Sequence, residues 1–262
     1  NYKKYSYHFF IDFPKNKKDK KKYLSILGII NEFRVNLKVK IISRKKNIGL
    51  SKNIIYGINS IVKNYKKFIV LEDDLRLSSH YLDFIQSALN KYEKNNNIFT
   101  VTGYMFPKKI FKMQFQKNSI FLSKRPNSWG WASWSNKWKK VNFNDYAFKK
   151  IYKDNFKLGL ISQYGNDLKY ILRDTLKKKI DSWAIKWTIY HILNKKYCIF
   201  PYKTLINEEG FISKPTNNKL RTSKFNHPRI NNLKFPKRLI LIPENSNIIR
   251  SFQKIYDFSF YK

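Results

Sequence analysis

An α/β fold, with a mainly parallel central sheet and helices on both faces, is what this sequence predicts. Short β-branched and aromatic runs alternate with segments of helical apolar spacing through the first half of the chain. Strands separated by helices pair in parallel through right-handed crossovers. The 262 residues, 42% hydrophobic and 17% aromatic, suffice for one sizeable core or at most two small ones.

The elements follow in order. Tyr5–Ile11 reads as a buried strand ending at Asp12, and because Asn1 stands where a Met would start a protein, the sequence is expected to be a fragment. Lys15–Lys22 reads as a basic loop leading into a helix over Tyr23–Phe33, with Tyr23, Leu24, Ile26, Leu27 and Ile30 as its stripe. Leu37–Ser43 is a second strand. After a turn at Asn47 and Gly49, Ile54, Ile55, Ile58, Ile61, Val62 and Tyr65 mark a second helix with Ser51 as candidate N-cap. Lys67–Leu71 is a strand running into Glu72, Asp73 and Asp74, and a helix begins near Ser79 with Tyr81, Leu82, Ile85 and Leu89 on its face. Ile98–Thr102 is the next strand, so the first half is Rossmann-like. Beyond Gly103 the rhythm breaks into a strand at Ser119–Ser123, a Trp-rich stretch from Trp129 to Trp138, a helix over Ser182–Leu193, a strand around Cys198–Phe200 and a Pro- and Asn-containing tail from Pro215. One domain is expected, divided into 1–103, an acceptor-side half 104–215, and a tail 216–262.

A formal charge of +37 would ordinarily point to nucleic acid. The lysines, however, are scattered through every segment alongside Asn, Ile, Tyr and Phe, which points to a compositional origin. A basic surface still suits anionic nucleotides and the inner face of an anionic membrane. No apolar run approaches the roughly 20 residues that span a bilayer, and the N-terminus has no signal-peptide core, so a cytoplasmic protein is expected. The single Cys198 has no internal partner and reads as a small buried hydrophobe.

Chemistry concentrates where a strand ends in acids. Ligands of open α/β sheets bind outside the carboxyl ends of strands, where Glu72, Asp73 and Asp74 stand. Adjacent carboxylates repel unless a cation or donors compensate, and a hard divalent ion bridging a diphosphate would do so. The triplet alone fits equally well with acids that cap the next segment or face solvent. Four of the six tryptophans fall within Trp129–Trp138. Trp134 and Trp138, at i, i+4 spacing, read as core. Trp129 and Trp131 flank Gly130, a place where backbone approaches a ligand and aromatic faces cover a sugar ring.

The run Phe68-Ile69-Val70-Leu71-Glu72-Asp73-Asp74-Leu75 resembles the acidic motif of GT-A glycosyltransferases, especially the Glu-Asp-Asp form of N-acetylglucosaminyltransferases and related bacterial family 2-like enzymes. Asn47-Ile48-Gly49-Leu50-Ser51 resembles the Asn-x-Gly turn that these families place before it, and Ser128-Trp129-Gly130-Trp131 their Trp-Gly-Trp loop. The resemblance implies a GT-A fold, with Asp74 as the manganese or magnesium ligand and Glu72 and Asp73 contacting sugar and ribose. Asp12 matches the position that meets the nucleotide base, and an ordinary loop aspartate is an equally good reading. Asp181, before the helix bearing Trp183, Trp187 and Tyr190, resembles the catalytic base, a role compatible with N-capping; Asp174, Glu208 and Glu209 are its alternatives. Leu205–Phe211 resembles a closing loop, but Thr216 is followed by Asn217 where relatives carry histidine, and His227 is the nearest. The family's usual opening strand and helix do not precede the Asp12 segment in this sequence; upstream residues of the natural protein are expected to supply them, the other reading being an incomplete fold with impaired nucleotide binding. The function implied is inverting transfer from a nucleotide-sugar, UDP-linked, to a hydroxyl of a glycan or lipid-linked acceptor such as a lipopolysaccharide or capsular intermediate. A basic single-strand nucleic-acid-binding protein and an inactive scaffold of the same fold are the competing readings.

Overall fold

The lysine run that reads as a loop is helix. In the structure, a computed structural model that describes residues 2–34, 37–113, 115–208 and 239–257 with Phe225, Ile230 and Lys234, strand β1 is Ser6–Ile11 and helix α1 is Lys17–Phe33. Lysine is a good helix former, and the Asn16 side chain accepts the Asp19 N–H at 2.9 Å, so the helix starts six residues before the apolar stripe at Tyr23. Strand β2 (Lys38–Ser43) lies parallel to β1, with Ser6 opposite Lys38 and Ile11 opposite Ser43. Helix α2 (Leu50–Ile61) follows and packs on β1, where Gly57 admits the Phe10 ring. Asn1–Ile61 together with Asp181–Trp183 form one compact unit, and Val62–Ile180 with Ala184–Lys262 form a second.

The second unit opens with β3 (Lys67–Val70), β4 (Leu75–Leu77), α3 (Tyr81–Lys91) and β5 (Ile98–Thr102). Strands β6 (Ser119–Ser123) and β7 (Trp131–Trp134) come next, with no helix between β5 and β7 among the described residues. Helices α4 (Ser135–Trp138), α5 (Asp145–Tyr152), α6 (Asn155–Ser162), α7 (Asp167–Leu176) and α8 (Ala184–Leu193) lead to β8 (Tyr197–Pro201), β9 (Ile206–Glu208), β10 (Ile240–Ile242) and α9 (Ser246–Ile255).

Six strands form one sheet in the order β10-β6-β8-β5-β7-β3. It is mixed rather than mainly parallel: β5·β8 and β10·β6 run parallel, whereas β3·β7, β5·β7 and β6·β8 run antiparallel. Within this sheet every antiparallel pair involves β6 or β7, neither of which is separated from the strand before it by a helix among the described residues. The protein is thus α/β, with parallel pairs a minority in this sheet and a further parallel pair, β1·β2, in a separate two-stranded sheet.

The Trp-rich stretch is strand through Trp134, so Trp134 and Trp138 do not share one helix; both are nonetheless core, as their buried rings require. The segment after Pro215 is more than a tail. β10 pairs with β6, and Ile248, Phe252 and Ile255 of α9 enter the main core beside Phe106, Phe111 and Phe200. Helices α5–α8 bury a second cluster around Ile161, Leu172 and Ile189.

One buried titratable group predicts how this unit responds to acid. His191 sits in the core with one ring nitrogen 2.8 Å from Thr100 Oγ1 and the other 2.9 Å from the Trp187 carbonyl, and burial pushes its pKa down from 6.5 to about 3. The unfolded chain binds a proton below pH 6.5 that the folded one refuses, so stability falls as pH drops from 6.5 toward 3. Denaturant melts across that window should show this loss, and His191→Gln should flatten it.

Candidate functional site

The acidic triplet lies where three chain segments are drawn to one rim of the mixed sheet. Val70 is paired with Trp131, and Trp131 with Thr102, so the carboxyl ends of β3 and β5 and the amino end of β7 are level. Leu71–Asp74, Gly103–Tyr104 and Asn127–Gly130 therefore leave the sheet side by side. Polar contacts knit the last two: the Gly103 N–H donates to the Gly130 carbonyl at 2.9 Å and Thr102 Oγ1 to the Trp129 carbonyl at 3.0 Å. Asn127 Oδ1 accepts the Trp129 N–H at 2.8 Å.

A fourth segment closes the arrangement. β4, directly after Asp74, pairs antiparallel with β9, placing the Glu208 backbone opposite Leu75. The Ser78 N–H donates to Leu205 at 2.8 Å, and the Leu205 N–H donates to Gly103 at 2.8 Å. Thus the part of the expected closing loop that is described, Leu205–Glu208, is strand-paired beside the acids. The Glu208 side chain, Glu209–Phe211, Thr216, Asn217 and His227 lie outside the described residues.

Glu72 is partly buried and Asp73 exposed, and the Leu75 N–H reaches back to the Glu72 carbonyl at 3.4 Å. Asp74 differs from both. It is half-buried, and its Oδ1 is shut off from solvent with no hydrogen-bond partner among the described residues. Burial, then the neighbouring Asp73 charge, push its pKa above the usual carboxylate value. A buried carboxylate oxygen without a donor is costly in isolation and is the kind of group a cation neutralises. Among the described residues no three His, Cys, Asp or Glu side chains converge as a metal cage. Magnesium is usually held by one or two carboxylates together with substrate phosphates, a mode that calls for no such cage.

The tryptophan rings do not offer themselves to a sugar. Trp131 is fully buried against Phe68, Trp138 and Trp187 at ring distances of 5.6, 6.0 and 5.5 Å. Trp129 is 7% exposed and packs edge-on to Tyr104 at 4.7 Å. Expected here as ligand contacts, both side chains are core: Trp131 projects from β7 into the aromatic cluster of Phe68, Trp138 and Trp187, and Trp129, in the bend before β7, packs on Tyr104 and Phe225. Gly130 has φ +51°, and an added Cβ would come within 3.1 Å of the Ile206 side chain, so the close approach here is to the protein's own β9.

In the other unit, Asp12 organises the Asn47–Gly49 turn. Its Oδ1 accepts the Phe13 and Ile48 N–H groups and its Oδ2 the Gly49 N–H, each at 2.9 Å, while Asn47 Nδ2 donates to the Phe13 carbonyl at 2.6 Å. These three amides occupy most of the carboxylate's acceptor capacity. Gly49 has φ +82° and stands where an added Cβ would meet Asp181 Oδ2 at 2.7 Å. Asp181 is exposed, and that oxygen accepts the Ser51 N–H at 3.1 Å. The capping expected of Ser51 is therefore supplied across the sequence by Asp181, which caps α2 and not the helix that follows it. Asp174 is held by Arg173 at 2.8 Å, which depresses its pKa and ties up its carboxylate.

Sequence reading missed Asn127, Thr102 and the β4·β9 pair, which frame the rim. Asn127-Ser128 before a Trp-Gly pair carries a turn signal, whereas three-residue strands carry almost none. Among the described residues no helix is long and apolar enough to cross a membrane. No protein-family model matches the chain, and no curated protein matches it.

Proposed function

We propose that this chain is a metal-dependent glycosyltransferase of the GT-A type, using a nucleotide-sugar, UDP-linked, as donor and inverting the anomeric centre. The observation that carries the reading is Asp74: a half-buried carboxylate with an unpartnered, sequestered Oδ1, at a strand end that Gly103, Gly130 and β9 surround. Asp74 would hold manganese or magnesium, with Glu72 and Asp73 turned to the donor's sugar and ribose. The ion, when bound, supplies positive charge that stabilises the departing diphosphate.

Asp181 is assigned as general base. It would take the proton of an acceptor hydroxyl whose oxygen attacks the anomeric carbon as the bond to the diphosphate oxygen breaks. Its hydrogen bond from Ser51 orients the carboxylate. Asp12 and Asn47 shape the Asn47–Gly49 turn, and in this reading the turn, rather than the Asp12 carboxylate by itself, meets the nucleoside. The acceptor is a glycan or lipid-linked hydroxyl.

The test is a thermal-shift series. A UDP-sugar with manganese at about 100 times its Kd should stabilise the protein by about 2.7 kcal/mol, roughly 5–10 °C in Tm. Either component alone should give much less. Salt-sensitive stabilisation by single-stranded oligonucleotides with no donor effect would replace the reading by nucleic-acid binding, and donor binding without turnover would mark an inactive scaffold.

Asp181→Asn separates two roles of one residue. Asparagine caps helices about as well as aspartate, so the fold and the donor-induced shift should persist, whereas transfer should fall by on the order of 100-fold or more. Unimpaired transfer in this variant would move the base elsewhere.

A further inference from the structure

We propose that the solvent face of α5, with its junction to α6, docks on an anionic lipid bilayer. Tyr146 and Phe156 are 64% and 75% exposed, the two most exposed large hydrophobic side chains among the described residues. Helix α5 and its C-cap carry Tyr146, Lys149, Lys150 and Lys153 at i, i+3, i+4, i+7, the cap keeping a helical backbone, so all four share one face, and all are exposed. Asp154 then caps α6, bringing Phe156 into its first turn.

The acids here are committed elsewhere. Asp145 pairs with Lys178 and Lys186, and Asp154 pairs with Lys157 at 2.8 Å. No acidic side chain among the described residues pairs with Lys149, Lys150 or Lys153, and Lys150 Nζ sits 4.6 Å over the Tyr146 ring. Uncompensated cations interleaved with exposed aromatic rings complement an anionic headgroup layer, where rings settle at the interface and each lysine adds attraction.

Two features favour a bilayer over a nucleic-acid strand. Stacking platforms line a groove that tracks a backbone, whereas these side chains project from the outer faces of helices. Ile180, 40% exposed, also follows Lys177–Lys179 at the end of α7, and Lys178 joins that end to Asp145 at the head of α5. An aliphatic side chain gives a base nothing to stack on but inserts readily among lipids. The inference stands apart from the glycosyl-transfer reading and uses none of its residues.

The test is co-sedimentation of the full chain with vesicles of phosphatidylcholine alone or of phosphatidylcholine with phosphatidylglycerol. Binding is expected only to the second. Lys149→Gln/Lys150→Gln/Lys153→Gln should weaken it by on the order of 100-fold, and Tyr146→Ser/Phe156→Ser by about tenfold, with Phe156→Trp retaining it. Because these side chains are exposed, circular dichroism and Tm should be unchanged. Lys108→Gln/Lys109→Gln/Lys112→Gln removes the same charge elsewhere and should leave binding nearly intact. Equal losses in the two lysine variants would reduce the effect to bulk charge and overturn the proposal. So would vesicle binding indifferent to Tyr146 and Phe156, or an oligo(dT) complex that depends on them while vesicles are not bound.

Discussion

Asp74→Asn is expected to stabilise the metal-free protein slightly while removing metal-dependent donor binding. Folding carries the Asp74 carboxylate into a half-buried position beside Asp73, and both effects favour its protonated form. With the folded pKa above the unfolded value of 3.8, the folded state holds the extra proton in the window between them. Stability therefore rises as pH falls through the folded pKa, and the ionised carboxylate is a liability at neutral pH. Asparagine removes the charge without removing the shape, so Tm of the apo protein should rise and its acid-side gain should vanish. Manganese-dependent stabilisation by a UDP-sugar should disappear, and turnover should drop by several kcal/mol of transition-state stabilisation, on the order of 100- to 1000-fold. A variant with unaltered turnover would take the metal away from Asp74; one with a lower apo Tm would show that Asp74 has a structural partner.

Arg125→Met is expected to be the most destabilising single change of the second unit. Arg125 is buried, and its guanidinium forms a two-pronged bridge to Asp167, with both N–O distances 2.7 Å. It also donates to the Tyr164 carbonyl at 2.8 Å and stacks 3.3 Å over the Tyr256 ring. The bridge joins the loop after β6 to the head of α7 and to the end of α9. Gly165, at φ +132°, lies so close that a Cβ would strike the Asp167 carboxylate at 2.6 Å. Removing the arginine leaves a buried carboxylate without its counter-charge, which costs about 3–5 kcal/mol, or roughly 6–20 °C in Tm. The double variant Arg125→Met/Asp167→Leu should recover much of that loss, since no charge remains buried. Thermal or denaturant melts of the two variants decide it: equal losses would mean that packing around Arg125, and not its charge, holds the junction.

Some of this architecture was legible residue by residue. Ile98–Thr102 and Ser119–Ser123 are strands with the boundaries their apolar runs imply, because a fully buried strand leaves little room for other residue types. Helices α5, α6 and α7 went unread although Asn144 and Asp154 cap the first two, since each is short and carries only two to four core positions. The acidic triplet could be located, but three consecutive acids look alike in a sequence. The resemblance picks out Asp74 among them, but its burial depends on which loops arrive beside it, which spacing and composition do not show.

Local chemistry alone therefore determined most of the strand–helix order up to Thr102, with β4 and the first turns of α1 unread, and the presence of acids at the end of β3, because periodicity and strand-end chemistry are properties of neighbouring residues. Tertiary structure decided the antiparallel insertion of β7, the burial of Trp129 and Trp131, and the capping of α2 by Asp181, 130 positions from Ser51. Each of these depends on partners far apart in the chain, whose meeting is set by the packing of the whole unit and leaves no mark in the spacing of nearby residues.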